Sequence, residues 1–129
     1  MGGRQAPHIP DEEPPIHHLS DHEFIAELRQ IDGTPDEILQ NNELMELMVP
    51  LLKADFELFE TWQPQQRSPL TIPIIATGGV SEFEGRREEV ESWKEHTTAQ
   101  CKVHFLPGDH FYIHQSEPQL LQLLARYLV

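Results

Sequence analysis

The sequence predicts an α/β fold, because strand and helix patterns alternate in its second half. Residues 70–77 form a short, almost continuous apolar run, which is typical of a strand buried on both faces of a parallel sheet. Residues 101–106 alternate between apolar and polar side chains, the period of a second strand. Helical patterns cover residues 86–96, between the two strands, and residues 116–128. The strands are therefore expected to pair in parallel through a right-handed crossover.

Length and composition fit a small globular protein with one modest core. The 129 residues are 38% hydrophobic and 24% charged, and the formal net charge is −13. This charge repels nucleic acid phosphates and anionic lipids alike. No run of about eighteen apolar residues is present, and the first residues lack the apolar segment of a secretory signal. We therefore expect a cytoplasmic protein that binds neither nucleic acid nor membranes.

Cys101 is the only cysteine, so no disulfide can form within the chain. It lies at the start of the second predicted strand. We interpret it as a small buried apolar side chain and not as a nucleophile.

Residues 1–19 are predicted to be an extended connector. Their prolines and the acidic triplet at 11–13 favour extended chain and offer little to a core. His17, His18 and His22 lie close together, but neither a cysteine nor a second cluster completes a metal site. Histidines at the solvent-exposed start of a helix are the favoured interpretation.

Residues 20–63 are predicted to be helical and to form a segment of their own. Ser20 and Glu23 have the spacing of a capping box that starts the first helix, and Gly33 is the expected stop. The apolar face of this helix is formed by Phe24, Ile25, Leu28 and Ile31.

Two more helices are predicted after Gly33. Thr34 is the expected cap of a short helix that reaches about Leu39. Asn42 is the expected cap of a longer helix, which Pro50 should kink or split. The apolar stripe of the longer helix contains Leu44, Leu47, Met48, Leu51, Leu52, Phe56 and Phe59.

Two roles for these helices remain open. A stripe rich in Met and Leu is most often core. Alternatively, the helices form a mobile lid over an apolar substrate channel, where Met45, Met48 and Phe56 adapt to the ligand.

The predicted sheet is too small to stand alone. Two parallel strands have no independent stability, so they are expected to be the end of a larger sheet whose earlier strands are absent from this sequence.

Two polar side chains follow the ends of the two strands. Glu82 comes just after the first strand and His110 just after the second. Since ligands bind at the carboxyl ends of strands in open α/β sheets, these side chains are expected to meet at a site. A carboxylate on one imidazole nitrogen would leave the other nitrogen to deprotonate a nucleophile.

Two other interpretations of His110 were weighed. One is a loop histidine with a local hydrogen bond. The other is a metal site, which is disfavoured because alternation places one of its members, His104, on the strand and away from the rest. That set would comprise His104, Asp109, His110 and His114.

Several short motifs follow one another along nearly the whole chain. They are Ile16-His17-His18-Leu19-Ser20-Asp21, Glu23-Phe24-Ile25, Gly33-Thr34-Pro35, Glu43-Leu44-Met45, Ala54-Asp55-Phe56, Gly78-Gly79, Trp93-Lys94-Glu95-His96-Thr97 and Phe105-Leu106-Pro107-Gly108-Asp109-His110-Phe111. In this order they resemble type II thioesterases, α/β-hydrolases that accompany nonribosomal peptide and polyketide synthases. The resemblance implies the C-terminal part of an α/β-hydrolase fold, with a helical lid at 20–63 followed by the last two parallel strands and their helices at 64–129.

The resemblance also implies an activity, the hydrolysis of acyl thioesters on the phosphopantetheine arm of an acyl or peptidyl carrier protein. It implies no cofactor and no metal. His110 would be the general base. The family's acid is usually an aspartate three residues after the second glycine of Gly78-Gly79, a place that Glu82 holds here. Because misplacement by about 1 Å can cost on the order of a hundredfold in rate, Glu84 is kept as the alternative acid.

The nucleophile that the resemblance implies is absent from this sequence. The family's serine lies in a Gly-x-Ser-x-Gly turn in the first half of the fold. No serine here has that context: Ser20, Ser68, Ser81, Ser92 and Ser116. We therefore expect a C-terminal half that is inactive alone, either truncated or completed by a separate N-terminal half. The alternative is a non-catalytic module that binds an acyl chain or a carrier protein.

Overall fold

In a computed structural model of the protein, residues 4–31 and 33–128 are described. They divide into two compact units, residues 11–63 and residues 4–10 with 64–128. Each unit has its own cluster of buried apolar side chains. The expectation of a single core is therefore wrong, because the helical segment carries enough Leu, Met and Phe to bury a core of its own. None of the described helices is both long enough and apolar enough to cross a membrane.

The helical unit contains α1 (Asp21–Gln30), α2 (Asp36–Leu39) and α3 (Asn42–Thr61). The predicted capping box is present: the Ser20 hydroxyl accepts from the Glu23 amide, and the Glu23 carboxylate accepts from the Ser20 amide. Helix α1 ends at Gln30 with Ile31 as its C-cap, so Gly33 lies beyond the cap. The core of this unit comprises Ile16, Phe24, Leu28, Leu39, Met45 and Val49.

The caps of the other two helices differ from the prediction. The side chain of Asn41, and not Asn42, accepts from the amide of Leu44 and begins α3. Pro35 precedes α2 with no side-chain cap, so Thr34 does not cap it. In both cases the cap lies one residue from the predicted position, and the boundary is decided by backbone torsion angles that residue type alone does not fix.

Helix α3 runs unbroken through Pro50, which was expected to kink or split it. Met45 and Val49 are buried, whereas Leu47 and Leu51 are exposed on a different face. The predicted stripe therefore mixed two faces of one helix. Packing of the buried face on either side of Pro50 accounts for the helix continuing despite the lost backbone hydrogen bond.

The α/β unit contains β1 (Ile74–Gly79), α4 (Arg87–Glu91), a 3-10 helix (Ser92–His96), β2 (Cys101–Leu106), α5 (Tyr112–Gln115) and α6 (Glu117–Leu128). The two strands pair in parallel, with Ile74 opposite Cys101 and Gly79 opposite Leu106. The predicted parallel pairing is confirmed. Within residues 4–31 and 33–128 the sheet has these two strands.

Strand β1 is shifted relative to the prediction: it begins at residue 74 and includes Gly78 and Gly79. Pro73 precedes it and cannot donate to a strand ladder, which accounts for the later start. Leu70 makes only an isolated bridge with Thr97. The predicted helix over 86–96 divides into α4 and the 3-10 helix.

Residues near the N-terminus contribute more to the packed part of the α/β unit than their composition suggested. Ala6 is fully buried, and its amide donates to the carbonyl oxygen of Glu89 at 3.0 Å. The Trp93 indole donates to the carbonyl oxygen of Arg4 at 3.0 Å. The expectation that this stretch adds little to a core is wrong, since backbone hydrogen bonds anchor it and a small side chain fits the space. The functional boundaries stay predictions: connector 1–19, lid 20–63 and hydrolase part 64–129.

Candidate active site

Glu82 and His110 meet just beyond the ends of the two strands. The Nδ1 atom of His110 lies 2.8 Å from Oε1 of Glu82. Glu82 follows β1 by three residues and His110 follows β2 by four. The expected approach of the two side chains is thus present, and the added methylene of glutamate does not prevent a hydrogen bond of normal length. The alternative acid, Glu84, is exposed and makes no such contact among the described residues.

Backbone hydrogen bonds join the two loops. The amide of Val80 donates to the carbonyl oxygen of Leu106 at 2.9 Å, and that of Ser81 donates to Gly108 at 3.0 Å. Gly79 permits this close approach, because a Cβ atom there would overlap the backbone oxygen of Asp109. Glycine at the end of β1 is therefore required for the second loop to lie against it.

The loop around His110 is also held by side chains. The amide of Asp109 donates to Oε1 of Gln115 at 2.9 Å, and the amide of Phe111 donates to Oδ1 of Asp109 at 2.8 Å. The Phe111 amide, followed by Gln115, lowers the pKa of Asp109. Gly108 has a φ of 126°, a conformation that favours glycine. The two residues that flank His110 thus have fixed amides.

Glu82 and His110 differ in burial. The side chain of His110 is 60% exposed, and that of Glu82 is 20% exposed. Oε2 of Glu82 is buried and has no hydrogen-bond partner in the described part of the chain. With Nδ1 bound to Glu82, the proton of a neutral imidazole is directed to that nitrogen, and Nε2 is left as an acceptor. No described residue forms a hydrogen bond with Nε2, so this nitrogen is available to a proton donor.

The predicted lid residues lie on α3. Met45 is buried in the core of the helical unit, and Met48 is half-buried. Phe56 is half-buried and packs edge-on against Phe24, with ring centroids 5.5 Å apart. Met45 and Phe56 therefore have packing roles in the helical unit, and their contact with a substrate stays a prediction.

One histidine of each candidate metal site is bonded to another side chain. Nε2 of His104 lies 2.8 Å from the Tyr127 hydroxyl, on α6. Nδ1 of His17 lies 2.6 Å from Oε2 of Glu60. Across residues 4–31 and 33–128, no group of three potential ligands gathers. Cys101 is half-buried, and burial raises the pKa of its thiol, as suits an apolar packing role.

Sequence reasoning missed several residues that shape the site. The Asp109 side chain accepts from the amide two residues later, an arrangement that aspartate favours in turns. The residue type could therefore have identified this role. No local signal identifies Gln115, or the buried contact between Thr77 and Tyr112, whose hydroxyl oxygens are 2.7 Å apart. These contacts join residues that only the fold brings together.

Comparison with known proteins places this chain in a family. The model of the thioesterase domain matches residues 1–128. The linear gramicidin dehydrogenase LgrE of Brevibacillus parabrevis is 40% identical, over 98% of this chain and 49% of its own length. The gramicidin S biosynthesis protein GrsT of Aneurinibacillus migulanus is 35% identical, over 99% of this chain and 50% of its own. The chain thus spans about half the length of these curated relatives.

A solved structure agrees with the sequence comparisons. YbtT, the type II thioesterase from the yersiniabactin NRPS/PKS biosynthetic pathway, superposes with a TM-score of 0.80 at 32% identity, covering 97% of this chain and 51% of that chain. The observed architecture is accordingly part of an α/β-hydrolase fold. The resemblance to type II thioesterases is confirmed, and the chain belongs to the thioesterase domain family.

Proposed function

We propose that this chain forms the acid and histidine part of a thioesterase that hydrolyses acyl thioesters in nonribosomal peptide or polyketide biosynthesis. The observation that carries the proposal is the 2.8 Å contact between Glu82 and His110, which leaves Nε2 of an exposed imidazole available. The thioester is carried on the phosphopantetheine arm of an acyl or peptidyl carrier protein.

The geometry supports general base catalysis by His110. Nε2 takes the proton of a serine hydroxyl while the serine oxygen attacks the thioester carbonyl. The imidazolium then gives its proton to the leaving thiolate as the carbon–sulfur bond breaks. Water, deprotonated by the same nitrogen, then attacks the acyl carbon. The bond to the serine oxygen breaks, the imidazolium returns its proton to that oxygen, and the acid is released. Glu82 holds the imidazole tautomer and stabilises the imidazolium.

The serine is proposed to come from residues outside the 129-residue sequence. No serine in this sequence has the Gly-x-Ser-x-Gly context, and none of the described serines contacts His110. The chain alone is therefore proposed to be inactive, and a serine-bearing N-terminal half would complete the site.

One relative, LgrE, is named as a dehydrogenase, which is another class of enzyme. Dinucleotide-binding folds use a Gly-x-Gly-x-x-Gly turn to approach the pyrophosphate. This sequence has no such turn, and Gly78 and Gly79 belong to β1 itself. The site described here favours hydrolysis.

Serine labelling tests the proposal directly. The purified chain is expected to form no adduct with a fluorophosphonate probe. Addition of an N-terminal half from a type II thioesterase, refolded with the chain, is expected to restore hydrolysis of an acyl-pantetheine thioester. His110→Ala should abolish that activity, whereas His114→Ala, at an exposed histidine four residues later, should retain it. A stoichiometric adduct on the chain alone, or equal activity of both variants, would contradict the proposal.

The carrier partner is supported by one local feature in an otherwise acidic chain. Arg86 donates to the carbonyl oxygen of Glu82 at 2.7 Å, beside the site. Arg87 lies over the Phe105 ring, 4.0 Å from its centroid. These two cations could face an acidic carrier. We expect Arg87→Glu to raise KM for a carrier-bound substrate but not for a free pantetheine thioester, and Lys94→Glu serves as the matched control.

The lid assignment is part of the same proposal. Met48, half-buried on α3, is the lid residue best placed to contact an acyl chain without unfolding the helical unit. Met48→Ala is expected to change the preference of the completed enzyme for acyl-chain length. Met45→Ala should mainly lower stability, because that side chain is buried in the core.

A further inference from the structure

A buried hydrogen bond connects the chain segment that leads to Glu82 with the segment that follows His110. The hydroxyl oxygens of Thr77 and Tyr112 are 2.7 Å apart. Both residues are buried, at 7% and 1% exposed. Thr77 lies in β1, five residues before Glu82, and Tyr112 begins α5, two residues after His110. The bond therefore joins the strand that leads to the acid with the helix that follows the base.

The surroundings of Tyr112 make this bond a constraint on the His110 loop. The amide of Tyr112 donates to the carbonyl oxygen of Asp109 at 3.0 Å, and its own carbonyl accepts from the amide of Ser116 at 2.7 Å. A shift of the Tyr112 ring would therefore be passed to the backbone on both sides. Since the ring is fully packed, the hydroxyl has a single direction in which to find its partner.

The hydrogen bond also fixes the position of the Tyr112 ring along β1, which packing alone does not. An apolar ring at position 112 could fill the same volume and slide slightly along β1. A short hydrogen bond to Thr77 fixes the position along the strand, because its strength falls steeply with distance and angle.

We propose that Thr77 and Tyr112 are positioning residues that set the register of the His110 loop against β1 and so hold Nδ1 of His110 on Glu82. Their catalytic meaning rests on the proposed function. Their effect on the imidazole does not, since it can be measured without any substrate.

The experiment follows the tautomer of His110 in the full 129-residue chain by nitrogen-15 NMR of its ring. In the neutral form of the ring, the wild-type resonances are expected to report a proton on Nδ1, as the bond to Glu82 requires. Glu82→Ala gives the reference spectrum for a lost acceptor at Nδ1, since the amide oxygen of a glutamine would still accept from that nitrogen. Tyr112→Phe and Thr77→Val should both shift the His110 resonances toward a ring protonated on Nε2, the form preferred by imidazole in water. Thr77→Ser, which keeps a hydroxyl, should restore the wild-type spectrum.

Tyr127→Phe is the matched control, because it removes a hydroxyl that contacts His104 and not the His110 loop. It should change the His104 resonances and leave those of His110 unchanged. Backbone amide spectra identify variants that retain the fold, and Thr77→Val serves if Tyr112→Phe does not fold. If Glu82→Ala shifts the His110 resonances while folded Tyr112→Phe and Thr77→Val do not, the positioning role is wrong and the proposed function stands. If Glu82→Ala also leaves them unchanged, the acid–histidine pair itself is contradicted.

Discussion

The carboxylate of Glu82 reaches Nδ1 of His110 at 2.8 Å, from a position where the resemblance to type II thioesterases implies the shorter aspartate. The loops of this chain therefore fit the longer side chain. We expect Glu82→Asp to lose the contact and to lower kcat/KM of the completed enzyme by about a hundredfold, since misplacement of about 1 Å has costs of this order. The measurement is thioester hydrolysis after complementation with an N-terminal half.

Glu84→Asp is the matched control, because Glu84 is exposed in the same loop. It should retain wild-type kcat/KM. Full activity of Glu82→Asp would show that the loops do not require the longer side chain.

Substitution of Gly79 is expected to displace the His110 loop. In Gly79→Ala the new Cβ would overlap the oxygen of Asp109 and lie 2.7 Å from that of Gly108, and both are backbone atoms. The free energy of unfolding should fall by about 1–3 kcal/mol, the usual cost of overpacking, and should be measured by urea denaturation. In Gly78→Ala the Cβ would meet the Phe83 side chain at 2.9 Å, which can move, so a smaller loss is expected. Equal losses would contradict this account.

Glu60 is expected to make the helical unit sensitive to acid. Burial alone would raise the pKa of Glu60, but hydrogen bonds from the amides of Ile16 and His17 and from the His17 ring outweigh it, so the pKa lies below the ordinary glutamate value of 4.5. The stabilisation is therefore complete above that value and is lost as the pH falls through the lowered pKa. Glu60→Gln should lower the free energy of unfolding at pH 7 by about 2 kcal/mol, as expected for hydrogen bonds to a charged group.

The difference between wild type and Glu60→Gln should shrink as the pH is lowered below about 4.5, a value taken from the unfolded carboxyl group. Urea denaturation followed by helical circular dichroism at pH 7, 5 and 3.5 measures it. Glu57→Gln, at an exposed glutamate of the same helix, is the control. A difference that grows in acid would reverse the predicted sign.

The cap of α3 gives a comparison between two adjacent asparagines. Asn41→Ala removes the side chain that accepts from the Leu44 amide at 3.1 Å, and should cost about 1 kcal/mol. Asn42→Ala, inside the first turn, should cost less. Thermal denaturation of both variants measures the two values, and the opposite ranking would place the cap at Asn42.

The elements that could be predicted are those with strong local patterns. The second strand, 101–106, was predicted at its observed limits because its alternation is undisturbed and a Pro-Gly pair follows it. The first strand was predicted too early, since the apolar run continues through Pro73, and the lost donor matters only once a partner strand is in place. The stripe of α3 was mispredicted for a related reason: the helix is apolar on two faces, and the sequence does not say which one is covered.

By itself, the sequence determined the α/β alternation, the parallel pairing, the resemblance to type II thioesterases and the two side chains of the candidate site. Periodicity, turn chemistry and position after a strand are local properties, and local properties can be read from residue order. Only the tertiary structure decided that Glu82 and not Glu84 contacts His110, that Gly79 must lack a side chain and that Thr77 meets Tyr112. These contacts join residues about thirty positions apart, and their distances depend on how two strands lie together, which no local pattern contains.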